Sequence, residues 1–281
     1  MIDLHVHSNK SDGSYTPTEL VDYAVEKGLS AFALTDHDTT DGVAEAVSYA
    51  KDKPIEVIPG VELSTEYEGR DIHMVGLYVN QETPGFSDYL KEFQATRETR
   101  NEKMCALLRE HGIPITLEDL KAEFPGAVIT RGLYAKYMYQ KDYIKNMQTA
   151  FDRYIGDHCS CYVPREKITP EQAVKFIKAA NGLAILAHPT LYHMSRVRLE
   201  TLVEKLKAAG LDGIEAKYTT YSSTDEREMK EIAKKFSLAV SGGSDFHGTT
   251  KPKTDLGIGY GKLYLHDSIL DDLKRLLHDN R

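Results

Sequence analysis

No stretch of this 281-residue chain approaches the roughly 20 consecutive apolar residues that cross a bilayer. The start, Met1-Ile2-Asp3-Leu4-His5, lacks a basic segment followed by an apolar one, so no signal peptide is expected. Cysteine is scarce: three residues, an odd number, which argues against a disulfide framework. These absences together point to a cytoplasmic location. Positive charge is also in short supply, with 35 Lys and Arg against 43 Asp and Glu and a net charge of −8. A protein that grips long nucleic acid usually shows a basic face. None is evident here, so no stable duplex partner and no membrane partner are expected. Bound cations can still draw a phosphorylated substrate into an acidic chain. Internal repeats and low-complexity segments are absent as well.

What is present is ordinary globular composition, 41% hydrophobic and 28% charged, patterned as short apolar runs between helical segments. Strands are predicted at Ile2–Val6, Ala31–Thr35, Ile55–Ile58, Ile72–Val79, Leu183–Ala187, Gly213–Ala216, Leu238–Ser241 and Lys262–Leu265. Most are continuous apolar runs, as in strands covered on both faces. Helices lie between them. Thr16-Pro17 and Thr169-Pro170 are cap-plus-proline starts, Asp41 opens Gly42–Lys51, Arg196–Ala209 stops at Gly210, Thr224 caps Asp225–Phe236, and a last helix follows Asp267. Strand–helix alternation of this length favours an α/β barrel. Alternation fails between about Phe86 and Tyr162, where helices are predicted at Phe86–His111, Leu117–Phe124, Arg131–Tyr139 and Tyr143–Ile155. The expected organisation is a barrel from residues 1–85 and 163–281, with residues 86–162 inserted as a helical, substrate-capping subdomain.

The chemistry sits at strand ends. The first strand runs into His5-Val6-His7, and alternate residues of a strand share a face, so both rings can reach one ion. Asp12 follows in a loop. Later strands lead into Asp36-His37-Asp38, Glu62, His188-Pro189 and Asp245-Phe246-His247, and His73 lies near the start of the fourth strand. Strand C-termini of an α/β barrel converge on one rim. A single strand-end histidine is more often a structural hydrogen-bonding group, and Asp36 and Asp38 taken alone read as helix caps. Six of eleven histidines in such places, with three carboxylates, make a joint pattern that chance rarely produces. Imidazole and carboxylate without thiolate suit zinc, manganese or iron. Nine ligands exceed what one tetrahedral ion needs, so two or three divalent ions are expected.

These residues resemble the PHP (polymerase and histidinol phosphatase) family. The matching pieces are Asp3-Leu4-His5-Val6-His7-Ser8, Ser11-Asp12-Gly13, Thr35-Asp36-His37-Asp38, Pro59-Gly60-Val61-Glu62, His73, Ala187-His188-Pro189 and Gly242-Gly243-Ser244-Asp245-Phe246-His247, in the family's order. The resemblance implies a distorted (β/α)7 barrel, which puts Lys262–Leu265 outside it. It implies three metal positions: His5, His7, Glu62 and Asp245 at the first; Asp12, His37 and His247 at the second; His73 and His188 at the third, bridged by Glu62. Asp12 stands where some members have histidine, which suits a harder ion such as manganese. Thr130-Arg131, Tyr162-Val163-Pro164 and His188-Pro189 with Tyr192 resemble one branch of the family. That branch removes the 3′-phosphate of nucleoside 3′,5′-bisphosphates or digests short 5′-phosphorylated RNA from its 5′ end. The chain departs from it at Gly132-Leu133 and at Asp157-His158-Cys159-Ser160-Cys161.

Three such cations beside Asp12, Glu62 and Asp245 leave a net charge of about +3, which attracts a phosphoryl group. The expected nucleophile is a hydroxide held between metals. His193 is the candidate general acid, with a surface histidine as the plain alternative. Arg131, Arg165 and Arg196 are candidates for a second phosphate, since guanidinium forks match phosphate oxygens, and each also reads as a solvated arginine. Lys167 and Lys217 are weaker ones. The His158–Cys161 stretch lacks a second ligand pair at zinc spacing and reads as a loop with incidental thiols. The tyrosines between Tyr134 and Tyr143 read either as base-stacking surfaces or as helix packing. Two other functions remain open: histidinol-phosphate phosphatase, and a non-catalytic scaffold stabilised by metal.

Overall fold

The structure is a computed structural model that describes residues 1–164 and 168–279. Seven strands form one sheet in chain order: β1 (Ile2–Val6), β2 (Ala31–Leu34), β3 (Glu56–Tyr67), β4 (Arg70–Leu77), β5 (Leu183–Leu186), β6 (Gly213–Tyr218) and β7 (Ala239–Gly243). The sheet curls until its ends meet: His7 N–H donates to Phe246 O at 3.0 Å and Asp245 N–H to His5 O at 2.9 Å. Every residue of β1, β2 and β5 is buried, because helices cover the outside and side chains fill the inside.

Ten α-helices accompany the strands among the described residues. They are α1 (Pro17–Glu26), α2 (Val43–Tyr49), α3 (Phe86–Glu110), α4 (Leu117–Glu123), α5 (Arg131–Gln140), α6 (Met147–Ala150), α7 (Pro170–Ala179), α8 (Arg196–Ala209), α9 (Ser223–Lys235) and α10 (Asp267–Asp279). None is long and apolar enough to cross a membrane. Thr16 and Thr169 cap α1 and α7 with proline just inside, as the sequence indicates.

Several expectations are corrected. The third strand does not stop at Ile58. It runs on to Tyr67 and pairs antiparallel with β4, with Ser64 opposite His73. Glu68 and Gly69, both at positive φ (51° and 77°), make the two-residue turn between them. The alternation Val61, Leu63, Thr65 on the buried side was the signal. Because β4 also runs antiparallel to β5, the start of β4 lies on the rim where the parallel strands end. That is how His73 joins the others. Lys262–Leu265 forms no strand; only Leu265 bridges to Ile2. Asp41 does not cap α2, which starts after Gly42 without a side-chain cap. Ser222, not Thr224, caps α9, with Asp225 completing the capping box. The helix expected over 143–155 is only α6 plus a π turn, Phe151–Ile155.

Residues 104–161 gather their own apolar core, including Met104, Leu108, Leu120, Tyr134, Met138 and Ile155. The first turns of α3 belong to the barrel instead: Phe86 and Leu90 pack with Val174 and Phe176 in its core, and the Phe86 and Phe176 rings stack 4.9 Å apart. A helix of 25 residues spans about 37 Å, long enough to leave one core and enter the other.

Candidate metal centre

At the rim, five histidines converge on one carboxylate. Glu62 Oε2 lies 3.2 Å from His5 Nε2, 3.2 Å from His7 Nε2 and 3.1 Å from His37 Nδ1. Its Oε1 lies 2.9 Å from His73 Nδ1 and 3.1 Å from His188 Nε2. The sixth ring, His247, faces Asp12, with Nε2 at 3.1 Å from Oδ1. Asp245 Oδ1 stands 3.3 Å from His7 Nε2 and 3.7 Å from His5 Nε2. All nine residues named from the sequence are thus brought together.

The donor atoms fit metal ions. Four overlapping groups have ligand atoms within 4.8 Å of one another: His7, Asp12, His37 and His247; His5, His7 and Asp245; His5, Glu62 and His188; and His37, Glu62 and His73. The grouping differs from the three sets implied by family resemblance, since His7 also faces Asp12 and His37 also faces His73. Buried nitrogens of His5, His7, His37 and His188 and Asp12 Oδ1 make no hydrogen bond within the protein. Burying an unpaired polar atom costs about 1–3 kcal/mol, a cost that a shared cation removes.

Charge gives the same result. Burial holds His37 down to about 3 despite Glu62 and Asp12, so its ring is neutral and offers a lone pair. For His7, burial is outweighed by Asp245 and Glu62, which raise it to about 9. Burial likewise opposes charge on His5, yet Glu215, Glu62 and Asp245 raise it well above its usual value. The carboxylates therefore call for positive charge at the point where His5 and His7 meet them.

A layer of hydrogen bonds orients these groups. Glu215 Oε1 pairs with His5 Nδ1 at 2.8 Å, and its Oε2 accepts the His188 backbone N–H at 2.7 Å. With Nδ1 donating, His5 turns Nε2 to the cluster. His247 Nδ1 donates to Asp245 O at 2.8 Å, which likewise directs Nε2 to Asp12. Tyr218 Oη and Lys251 Nζ both donate to Asp245 Oδ2 at 2.6 Å, leaving Oδ1 for the histidines. Asp3 accepts the Ser244 N–H and hydroxyl and the Gly257 N–H, fixing the approach to Asp245. Gly243 has no room for a side chain, because a Cβ there would lie 2.3 Å from His5 Cβ. Three site residues hold left-handed backbone: Asp38 (φ 53°), His188 (φ 26°) and Asp245 (φ 56°). Such conformations cost about 1–3 kcal/mol and cluster at functional sites.

Neither Asp36 nor Asp38 is a helix cap. Asp36 accepts Ser8 N–H and both the Ser8 and Ser11 hydroxyls, pinning the loop that carries Asp12. Asp38 is buried against Arg97 of α3 and accepts Ser64 N–H at 2.9 Å. Glu215, Tyr218, Lys251 and Arg97 were not singled out from the sequence. Glu215 had a signal: a carboxylate between Ile214 and Ala216 in a buried strand needs a partner.

Beside the cluster opens a cleft of about 240 Å³. Asp12, His37, His73 and His247 form one wall; Arg131, Tyr162 and Phe151 face them from the helical segment. Arg131 is braced by Asp71 and Asp157, each at 2.5 Å, and lies over the Tyr162 ring. Thr130 donates to Asp12 Oδ2 at 2.6 Å. Gly132 follows against Asp12: a Cβ would lie 2.9 Å from Oδ2.

The other candidates fare differently. Arg196 does not line the cleft; it pairs with Glu200 and Glu231 on an exposed helix face. Lys217 donates to Tyr264 O. Arg165 and Lys167 lie outside the described residues. His193 is exposed, because the short turn Pro189–Tyr192 swings the chain outward. Tyr192 points inward instead, where its hydroxyl bonds Ala187 O and accepts His73 N–H. Tyr134 is packed inside the helical core, donating to Asn101 O at 2.8 Å. Among the described residues, Cys159 and Cys161 join no group of metal-type ligands, and all three cysteines are free.

Known proteins give the same picture. Residues 3–155 match the PHP domain. A 5′-3′ exoribonuclease of Haemophilus influenzae is 41% identical over 87% of this chain and 89% of its own. A 3′,5′-nucleoside bisphosphate phosphatase of Chromobacterium violaceum is 35% identical over 91% of this chain and 90% of its own. A solved structure from Bifidobacterium adolescentis, assigned as a metal-dependent phosphoesterase, superposes with a TM-score of 0.84 at 26% identity, covering 97% of this chain and 94% of that one. The buried histidine and carboxylate cluster, the seven-stranded barrel and these likenesses together show that the chain belongs to the PHP family and is a metal-dependent phosphoesterase.

Proposed function

We propose that the enzyme hydrolyses the 3′-phosphate ester of a nucleotide that also carries a 5′-phosphate, either as a nucleoside 3′,5′-bisphosphate or as the 5′ end of a short RNA. One cleft carries this reading: it joins Asp12, His37, His73 and His247 on one side to the Arg131 guanidinium on the other. A phosphoryl group at the cluster and a second phosphate at Arg131 then fit one small molecule. The names of the two relatives support the same pair of substrates.

Two or three divalent ions would be held by His5, His7 and Asp245, by Asp12, His37 and His247, and by His73 and His188, with Glu62 available to share. Nitrogen and oxygen donors without thiolate suit manganese, zinc or iron. Bound there, the ions lower the pKa of water and neutralise charge on the phosphoryl oxygens. Everything else falls to the chain. Glu215 fixes the His5 ring, Tyr218 and Lys251 fix Asp245, and Thr130 fixes Asp12. Arg131, braced by two carboxylates, offers a planar fork that is already oriented. The helical segment from 86 to 162 caps the cleft and sets which phosphate ester enters. Position 193 takes no part.

The test is a comparison of adenosine 3′,5′-bisphosphate with histidinol phosphate, with manganese present. Release of phosphate and adenosine 5′-monophosphate from the first, at a kcat/KM at least tenfold above the second, is expected. Preference for histidinol phosphate would overturn the reading.

A further inference from the structure

Asp245 Oδ2 takes donors from two sides. Lys251, at 2.6 Å, lines the cleft that holds Arg131. Tyr218, also at 2.6 Å, lines a second cavity of about 620 Å³. The two cavities thus flank one carboxylate of the cluster. The function proposed above uses only the first.

The second is a cationic groove. One wall is α9, on which Arg227, Lys230 and Lys234 follow at i, i+3 and i+7 and share a face. Lys262 stands on the other wall. The carboxylates in the lining are already engaged: Glu226 pairs with Lys230 at 3.0 Å, and Glu231 with Arg196 at 3.0 Å. Arg227, Lys234 and Lys262 are exposed and have no ion pair among the described residues. In a chain of net charge −8, such a local excess of positive charge favours an anionic ligand. At its inner end the rings form a path: His188 lies 5.3 Å from Tyr218, and Tyr218 lies 5.4 Å from Tyr221. Aromatic faces beside a row of cations are what single-stranded nucleic acid binds.

We propose that this groove holds the 3′ side of a single-stranded RNA whose 5′-terminal nucleotide occupies the Arg131 cleft. The proposal rests on the function proposed above and narrows its substrate class. A nucleoside 3′,5′-bisphosphate and a 5′-phosphorylated strand present the same ester at the cluster. They differ only beyond phosphorus, where the strand carries the next nucleoside. In both, a water oxygen bonds to phosphorus, the P–O3′ bond breaks, and the departing 3′-oxygen takes one proton of that water. The bisphosphate yields a nucleoside 5′-monophosphate and inorganic phosphate. The strand yields a nucleoside 5′-monophosphate and a remainder one nucleotide shorter, with that phosphorus as its new 5′-phosphate. The remainder is again a substrate, so a groove that retains it favours repeated cleavage. A mononucleotide leaves the groove empty.

The test is the triple variant Arg227→Glu, Lys234→Glu, Lys262→Glu in the metal-loaded enzyme. The substrates are a 5′-phosphorylated RNA hexamer and adenosine 3′,5′-bisphosphate. The expected result is a KM for the hexamer at least tenfold higher, with bisphosphate kcat and KM unchanged within twofold. Unchanged bisphosphate turnover also shows that the variant folds. The salt dependence of hexamer kcat/KM flattens, by about 0.7 in log–log slope for each phosphate that is no longer neutralised. Equal losses on both substrates, or none on the hexamer, would overturn the proposal. Fluorescence anisotropy of a 3′-labelled hexamer gives a readout independent of turnover. If the wild-type enzyme cleaved neither substrate, the proposed function would fail. The groove would still be judged by whether the triple variant loses hexamer binding, and wild-type protein that binds no hexamer sinks it.

Discussion

The barrel rim and the helical segment face each other across one cleft and are built on opposite principles. The rim is a dense polar cluster inside an apolar shell. Its nine candidate ligands are held by a further layer of buried carboxylates: Asp3 on the Ser244 loop, Asp36 on the Ser8–Ser11 loop and Glu215 on His5 and His188. The helical segment is the reverse. It has an apolar core of its own, from Met104 to Cys161, and sends only a few polar side chains to the cleft, chiefly Thr130 and Arg131. The proposed function assigns rigid positioning to the rim, where reacting atoms would be placed, and selection to the segment, through Arg131. Polar contacts join them: Arg97 holds Asp38 next to His37, Thr130 holds Asp12, and Arg131 pairs with Asp71 of β4.

That contrast is testable by substitutions on either side. Asp245→Ala removes a ligand and frees Lys251 and Tyr218; turnover should fall by on the order of a thousandfold or more, as expected when several kcal/mol of charge stabilisation are lost. Turnover retained within tenfold contradicts the role given to the rim. Glu215→Gln keeps the shape but weakens the grip on His5 and His188. Loss of an outer partner of this kind costs about 10- to 100-fold in metal affinity or activity, which metal titration of the variant would measure. Arg131→Ala should raise KM for a bisphosphate by about tenfold to a hundredfold, the worth of a charge-assisted hydrogen bond. Turnover of p-nitrophenyl phosphate, which has no second phosphate, should barely move; a parallel loss would place Arg131 in positioning the rim rather than in selection. The smallest effects belong to His193→Ala and Arg196→Ala. Each should leave kcat/KM within twofold and stability within about 0.5 kcal/mol, as exposed side chains usually do.

The same contrast explains what was legible in the sequence. Most of the candidate ligands stand out because an apolar run leads into them; His73, near the start of β4, is the exception. The same runs mark the helical interruption and the seven observed strands, together with an eighth at Lys262–Leu265 that does not form. The β3–β4 hairpin was obscured because Pro59 and Gly60 end the apolar run at Ile58, and beyond them polar Glu62, Ser64 and Glu66 alternate with the buried Val61, Leu63 and Thr65. Glu215 was hidden inside a strand, since periodicity marks its face but not its partner. Among the cationic candidates, sequence spacing carried no information about exposure. Arg131 sits at a helix start turned to the cleft, while Arg196 sits at another turned to Glu200 and Glu231. His193 follows His188 by five residues, and one short turn decides that Tyr192 faces inward in its place.

In the proposed metal centre, Glu62 would be the residue shared by the ions. Its two oxygens lie within 3.2 Å of five histidine nitrogens. Metal content per chain, measured by mass spectrometry on wild type and on Glu62→Ala after manganese loading and dialysis, tests this directly. Two or three ions are expected in the wild type, with a drop of more than one in the variant. A single ion in the wild type, or a variant that keeps the full complement, would contradict a shared Glu62.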